Sequence, residues 1–132
     1  MVIDGAAKLE GMNAAALKVS DRVLIPVQPS PYDIWAVADL VDLIRARQEV
    51  TDGLPQTAFL ISRAIKRTVL SREVLSALAD YPFPVFRGGA VQRQSYPRTA
   101  ADGRSVFEDG SPEGAQEIGA LTDELLRFCN GA

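Results

Sequence analysis

Arginine residues dominate the part of the sequence whose composition suggests chemistry. Between Arg63 and Arg104 the chain carries eight basic residues, seven of them arginines, and three acidic ones, whereas the remaining chain carries six basic and 14 acidic residues. Because a guanidinium group binds phosphate through paired N–H groups, this local positive charge could attract phosphates, although the basic runs are too scattered to be a nucleic-acid motif. A contact of this kind with DNA would be independent of base sequence. The candidate residues are Arg87, Arg93, Arg98 and Arg104. An ordinary surface on which these arginines pair with carboxylates explains the same composition, and the sequence leaves both explanations open.

The residue types present in the sequence exclude several other kinds of site. The chain has no histidine and one cysteine, Cys129, so Ser-His and Cys-His nucleophile pairs, an internal disulfide and a multi-cysteine zinc site are ruled out. A divalent ion would have to rely on oxygen ligands, as Mg²⁺ does. We therefore assign no catalytic residue.

The overall composition predicts one folded domain over residues 1–132. Hydrophobic residues make up 47% of the chain and charged residues 23%, as in globular proteins. No apolar run approaches the roughly 20 residues that a membrane-spanning helix needs. The first residues, MVIDGAAKLEG, lack the pattern of a secretory signal. We expect a cytoplasmic protein that has no membrane segment.

Short apolar runs alternate with helical patterns along the chain. Buried parallel strands are predicted over Arg22–Val27, Thr57–Ser62 and Pro84–Phe86, with Val2-Ile3 as a fourth strand or its remnant. Helices are predicted over Lys8–Leu17, from a cap at Asp33 to before Asp52, from Ser71 to near Tyr81, and from Ser111-Pro112 to Asn130, with a loop over Asp102–Gly114. This alternation predicts the α/β class, a parallel β-sheet flanked by helices.

Ligands of such sheets bind at the carboxyl ends of the strands. The segments predicted at that edge are Gln28–Tyr32, Arg63–Thr68 and Arg87–Gln94. The sequence therefore predicts one rim that joins a proline-containing loop to arginine-containing connections. We interpret Trp35, in the first turn of the helix after the proline loop, as a packing residue.

Taken in order, several segments resemble a known family. They are Val2-Ile3-Asp4-Gly5-Ala6, which is similar to the end of a Walker B strand, the segment VLIPVQPSP from Val23 to Pro31, FLISR from Phe59 to Arg63, QRQSY from Gln92 to Tyr96, GRSVFE from Gly103 to Glu108, and the closing helix with Glu117-Ile118 and Leu121. This set resembles the C-terminal part of ParA-type partition ATPases, particularly the ParF-like branch. The resemblance covers nearly the whole chain.

The resemblance implies a fold, a function and a set of site residues. The implied fold is the three-layer P-loop NTPase (Rossmann-like) sandwich. The implied function is plasmid or chromosome segregation, with ATP or ADP and Mg²⁺ as cofactors, nonspecific DNA as a ligand and a ParB-like, centromere-binding partner. By resemblance Asp4 would bind the metal, Arg63 would lie near the base, and Pro29, Ser30 and Pro31 would lie near the nucleotide and the dimer contact.

One departure from the family pattern changes these expectations. No KGGxGKT-type phosphate loop occurs in the sequence, and Gly88-Gly89 has no Lys-Ser/Thr after it. We therefore expect a sandwich truncated at its N-terminus that alone neither binds ATP tightly nor hydrolyses it, while whether the chain belongs to an active enzyme stays open.

Such a truncation would leave the strand at Val23–Ile25 with an unpaired edge. Met1–Asp4 or a second copy could cover that edge, so we expect a homodimer or higher self-association. Three functions remain: a non-hydrolysing fragment that keeps a dimer or DNA surface, a part of a complete ATPase, and an interaction module that pairs with an intact homologue.

Overall fold

The computed structural model describes residues 1–5, 11–65, 68–110 and 112–131. Along the chain these residues form α1 (Gly11–Val19), β1 (Arg22–Val27), α2 (Pro31–Glu49), β2 (Gln56–Ile61), α3 (Val69–Leu78), α4 (Ser95–Ala101), a 3-10 turn (Val106–Glu108) and α5 (Pro112–Asn130). The α/β class predicted from the sequence is confirmed. None of the described helices combines the length and apolar character needed to cross a membrane.

Strands β1 and β2 lie side by side and run in parallel. Their register pairs Arg22 with Gln56 at one end and Val27 with Ile61 at the other. The prediction for β1 is confirmed at both ends, and β2 begins and ends one residue earlier than predicted.

The other edge of β1 carries no strand in the described part of the chain. Backbone bonds from Gln56 N–H to Asp21 C=O and from Ser62 N–H to Val27 C=O show that odd-numbered residues of β1 face β2. The backbone groups of Arg22 and Leu24 therefore point to the free edge. Pro26 has no N–H, and a proline at this position limits how far another strand could pair there.

The remaining two strand predictions are wrong. Pro84–Phe86 forms one isolated parallel bridge, between Val85 and Phe59, with backbone hydrogen bonds of 2.8 Å on both sides of it. Pro84 lacks an N–H, which limits a longer ladder. Val2 and Ile3 are exposed and form no strand, because two residues make too few ladder bonds to offset the entropy lost on ordering. The described sheet thus has two strands, and the larger P-loop NTPase sandwich is not established.

The core lies on one face of this sheet. Ile25, Val27 and Phe59 are buried there, and the Phe59 ring lies 5.9 Å from that of Tyr81 and 5.8 Å from that of Phe83. The helical residues that cover this face are Val37, Val41 and Ile44 of α2 and Val74 and Leu78 of α3.

Helix α5 approaches the opposite face, to which the alternation of β1 directs Arg22. The Arg22 Nε donates to the carbonyl oxygen of Phe128 at 3.1 Å, and its guanidinium lies 5.8 Å from the Phe128 ring centroid. Helix α5 therefore contacts this second face at Arg22, whereas α2 and α3 cover the first face.

Two predicted helix starts are corrected by the caps. Helix α2 begins at Pro31 after Ser30, not at Asp33, because proline suits the first helical position. The Asp33 carboxylate instead accepts from the Gln28 N–H at 3.0 Å. Helix α3 begins at Val69, because Thr68 Oγ1, rather than the predicted Ser71, provides the cap.

The other helix predictions differ at their ends. Helix α1 extends two residues beyond the predicted Leu17, while the predicted residues 8–10 lie outside the described residues. The predicted cap of α5, Ser111, also lies outside them. The predicted loop over Asp102–Gly114 contains a 3-10 turn, fixed by reciprocal hydrogen bonds between Ser105 and Glu108, and the beginning of α5. Helix α4 was not predicted.

The pair Gly88-Gly89 allows close packing beside β2. A Cβ added at Gly89 would lie 2.6 Å from the carbonyl oxygen of Ile61, and the next residue, Ala90, donates its N–H to that same oxygen at 3.2 Å. The absence of a side chain at this position is therefore a requirement of the backbone contact.

We predict that Gly89→Ala destabilises the fold and that Gly119→Ala does not. The new methyl group at position 89 forces a backbone shift, with a cost of about 1–3 kcal/mol in the free energy of unfolding. Position 119 lies in α5 with no atom within 4 Å of an added Cβ, so alanine there gains roughly 0.5–1 kcal/mol. Urea unfolding followed by circular dichroism measures both, and a Gly89→Ala variant as stable as the wild type would contradict the contact.

Candidate functional site

The structure brings the predicted rim together at the carboxyl end of β2. The Ala64 N–H donates to Ala90 C=O at 3.0 Å, and the Gln92 N–H donates to Ala64 C=O at 2.9 Å. Ser62 in turn donates its N–H to the end of β1 at Val27. The residues after β1, the residues after β2 and the loop over residues 87–94 therefore share one edge of the molecule.

The candidate nucleotide residues lie on this edge without forming an enclosed site. Pro29 and Ser30 are half-buried and Pro31 is exposed. They make the turn from β1 to α2, in which Ser30 N–H donates to Gln28 C=O at 2.8 Å. Arg63 is exposed and has a backbone φ of 53°, a left-handed conformation that is uncommon outside glycine.

Asp4, the candidate metal ligand, lines a groove whose described lining includes none of the candidate arginines. It is exposed and, together with Ile3 and Gly5, lines this groove of about 590 Å³ beside the free edge of β1. Among the described residues no group of three or more acidic or cysteine side chains is placed to hold a metal ion.

Two carboxylates of α5 bind the 87–94 loop. Glu124 accepts hydrogen bonds from the backbone N–H groups of Arg87, at 2.8 Å, and Gly88, at 2.7 Å. Glu117 lies two helical turns earlier and accepts from the backbone N–H of Val91 at 3.4 Å. Hydrogen bonds to a charged acceptor are stronger than those between neutral groups, so α5 fixes the path of this loop.

Glu117 also binds two side chains. Its Oε1 accepts from Arg93 Nη2 at 2.6 Å and from Arg93 Nε at 3.1 Å, and its Oε2 accepts from the Tyr96 hydroxyl at 2.9 Å. Arg93 and Glu117 are only 27% and 15% exposed at the side chain. Arg93 is therefore held inside a network that joins the loop, α4 and α5.

The four arginines that are candidates for DNA contact differ in whether their guanidinium groups pair with a carboxylate. Arg98 pairs with Asp109 at 2.5 Å and Arg104 pairs with Asp102 at 3.1 Å, both with largely exposed guanidinium groups. Arg87 is exposed, and no carboxylate in the described part of the chain forms an ion pair with its side chain. Pairing with carboxylates thus accounts for three of the four arginines, and Arg87 is the one whose charge is most available to a phosphate.

The network shifts the pKa values of its members. Burial and, next in size, the hydrogen bond to Glu117 together raise the pKa of Tyr96 to about 12. Burial alone would raise the pKa of Glu117, but the hydrogen bonds from Arg93, Tyr96 and Val91 outweigh burial and lower it. The hydrogen bond to Glu117 raises the pKa of Arg93.

The loop at Gly88-Gly89 does not have the features of a phosphate loop for a nucleoside triphosphate. A phosphate loop presents free backbone N–H groups and a lysine to the phosphates. Here the Arg87 and Gly88 N–H groups are already bound to the Glu124 carboxylate. These two N–H groups are therefore not available to a phosphate in this arrangement.

Glu117, Glu124 and Tyr96 carry this arrangement, and sequence reasoning gave none of them a role. The signal was the spacing of seven residues between the two glutamates, which places them on one face of a helix two turns apart. Their partners could not be identified in the same way, because they lie 21 to 37 residues away in the sequence.

We predict that stability falls at both ends of the pH range through this network. The lowered pKa of Glu117 gives a contribution that is complete above its ordinary value of 4.5 and is lost as the pH falls through the folded-state pKa. The raised pKa of Tyr96 gives a contribution that is complete below 10.0 and is lost as the pH rises toward about 12.

Unfolding free energies of Glu117→Gln and Tyr96→Phe test this dependence. Glu117→Gln should flatten the acid side of the stability profile and Tyr96→Phe the alkaline side, whereas the exposed control Asp80→Asn should leave both sides as in the wild type. An unchanged acid side in Glu117→Gln would show that this carboxylate is not held as described.

Comparison with known proteins finds one informative similarity. No family model matches the chain. Over 129 residues it is 26% identical to Maintenance of carboxysome distribution protein A from Halothiobacillus neapolitanus (strain ATCC 23641 / c2). The alignment covers 96% of this chain, which spans 59% of the length of that relative. The similarity supports a ParA-like relationship in general and does not show a specific family.

Proposed function

We propose that this chain has a ParA-like role in positioning or partitioning a cellular cargo, and that it contacts DNA phosphates through its arginine-containing rim. The observation that carries the proposal is the similarity to a carboxysome distribution protein, because it extends over 96% of the chain. The exposed Arg87 on a loop held by Glu124 supports the DNA contact, since the backbone that carries this cation is already ordered before binding.

The finer proposal concerns the cargo and the partner. Segregation of a plasmid or chromosome, together with a ParB-like partner that binds a centromere site, is supported by the ordered set of segments from Asp4 to Glu117. The name of the relative refers to carboxysomes, so an organelle-like cargo is the alternative within the same general role.

We further propose that residues 1–132 alone do not hydrolyse ATP. The sequence contains no glycine-lysine phosphate loop, and phosphoryl transfer depends on the charge stabilisation that such a loop provides. The occupied N–H groups of Arg87 and Gly88 support the same conclusion.

A second candidate function is an interaction module that pairs with another chain through β1. The free edge of β1 favours it, because the backbone groups of Arg22 and Leu24 point away from β2 toward a groove lined by Leu17, Val23 and Leu40. This candidate also accommodates the proposed self-association of the chain. It differs from the first in giving Arg87 no role.

Titration of a labelled duplex of mixed sequence at low salt tests the DNA contact. Arg87→Glu should weaken binding by about 3- to 10-fold, because one phosphate contact is replaced by repulsion. The matched control is Arg45→Glu, which makes the same charge change on the exposed surface of α2 beside the beginning of β2, away from the rim. The wild-type affinity should fall as salt rises, and adding Mg²⁺-ATP should leave it unchanged.

Three results would contradict parts of this proposal. Equal losses of DNA affinity in Arg87→Glu and Arg45→Glu would show that the effect comes from the change in net charge and not from a contact of Arg87. An absence of DNA binding at low salt in a chain that self-associates would favour the second candidate. Tighter DNA binding in the presence of Mg²⁺-ATP would show that these residues do respond to nucleotide.

A further inference from the structure

Two aromatic side chains stand exposed at the beginning of α2. Tyr32 is 76% and Trp35 is 68% exposed, and their rings contact each other edge to face with centroids 5.6 Å apart. Trp35 therefore does not pack into the core as the sequence interpretation had it. Adjacent exposed aromatic rings are unusual on a free surface and are typical of interfaces, in which tyrosine and tryptophan are enriched.

Acidic residues continue this aromatic surface along the helix. Helical spacing places Asp39 and Asp42 on the same side as Trp35, opposite the buried Val37 and Val41. Both aspartates are exposed, and Leu43 beside them is 38% exposed. We name this surface, formed by Tyr32, Trp35, Asp39, Asp42 and Leu43, the outer face of α2.

The outer face of α2 has no basic residue of its own. The nearest cations on the helix are Arg45 and Arg47, which lie at its two borders, and the Arg47 guanidinium donates to the carbonyl oxygen of Lys18 at 3.2 Å. Arg45 lies one helical turn after Asp42, but neither Asp39 nor Asp42 forms an ion pair among the residues that the structure describes. Aromatic rings next to such carboxylates suit guanidinium groups, which stack on an indole and pair with a carboxylate.

We propose that the outer face of α2 binds an arginine-containing segment of another protein. One guanidinium stacks on Trp35 and Tyr32, and a second pairs with Asp39 and Asp42. Trp35 and Asp42 are seven residues apart, or about 10 Å along the helix, which matches two arginines seven residues apart in a helix or three apart in an extended segment. This proposal does not depend on the DNA contact at the rim.

The negative charge of Asp39 and Asp42 favours an arginine-containing segment over DNA or a second copy of this chain. DNA would place phosphates beside Asp39 and Asp42, where like charges repel. A second copy of the chain, meeting this face across a two-fold axis, would place the same two carboxylates against their own counterparts. A cationic peptide is the class that both the rings and the carboxylates favour.

Trp35 is the one tryptophan of the chain, so its fluorescence reports directly on this surface. The probe is an alanine-based helical peptide with two arginines seven residues apart, and its control has citrulline at both positions, which keeps the shape and removes the charge. The arginine peptide should shift the Trp35 emission in a saturable titration, and the citrulline peptide should bind at least about fivefold more weakly.

Variants in this chain locate the binding. Asp39→Asn with Asp42→Asn should weaken the arginine peptide by about 5- to 10-fold, whereas Asp80→Asn with Asp123→Asn, an equal charge change at exposed positions elsewhere, should change it less than about twofold. For Trp35→Ala, anisotropy of a labelled peptide should show a loss of about 3- to 10-fold. The matched control is Leu126→Ala, which removes a 54% exposed apolar side chain from α5.

The proposal is overturned by any of four results. The first two are equal binding of the two peptides and equal losses of peptide affinity in the two double-aspartate variants. The third is a Trp35→Ala variant that binds the peptide like the wild type. The fourth is a Trp35→Ala variant whose main defect is lost self-association in sedimentation or lost duplex DNA binding. The substituted residues are all exposed, so circular dichroism should show an unchanged fold in each variant.

Discussion

Hydrogen bonding between the last helix and the 87–94 loop is the constraint on which the arrangement of the rim depends. Glu117 and Glu124 lie on one face of α5 and bind three backbone N–H groups of the loop, as well as the Arg93 and Tyr96 side chains. The loop that these carboxylates bind carries Arg87 and Arg93, two of the eight basic residues between Arg63 and Arg104. The acidic last helix and the basic middle segment are thus two halves of one structural unit.

This unit also decides which arginines can act outside the fold. Arg93 is held by Glu117 and serves the structure, whereas Arg87 is held only through its backbone and keeps its guanidinium exposed. Because the backbone of this loop is already ordered, DNA binding would not carry the entropy cost of ordering that backbone. The same hydrogen bonds occupy the N–H groups of Arg87 and Gly88, and the glycine pair packs against Ile61 and α5.

The sequence allowed prediction where a local pattern decides the structure. The continuous apolar run of β1 and the helical stripe that buries Val37, Val41 and Ile44 follow from periodicity, so both elements were found. The starts of α2 and α3 were misplaced, because several residues near each start can cap a helix and tertiary context decides between them. Pro84–Phe86 has strand composition, but Pro84 lacks an N–H and the segment forms one isolated bridge, between Val85 and Phe59.

The candidate site was predictable in its charge and not in its contacts. An excess of arginine is visible in the composition, but the choice of Glu117 as the partner of Arg93 joins residues 24 positions apart and needs the packing of α5. The exposure of Trp35 could not be predicted from the sequence either, since the sequence pattern around a tryptophan among apolar helical residues is the same whether its side chain is buried or exposed. Which side of α2 meets the sheet was settled by Val37, Val41 and Ile44, and this choice leaves Trp35 on the other side.

Amide hydrogen exchange in a Glu124→Gln variant tests the central claim most directly. In the wild type, the Arg87 and Gly88 amides should be protected because they donate to the Glu124 carboxylate. In the variant, these two amides should exchange at least about tenfold faster, while the amides of β2 and the middle of α5 keep their rates. Unchanged protection of Arg87 and Gly88 would contradict the claim that this helix holds the basic loop in place.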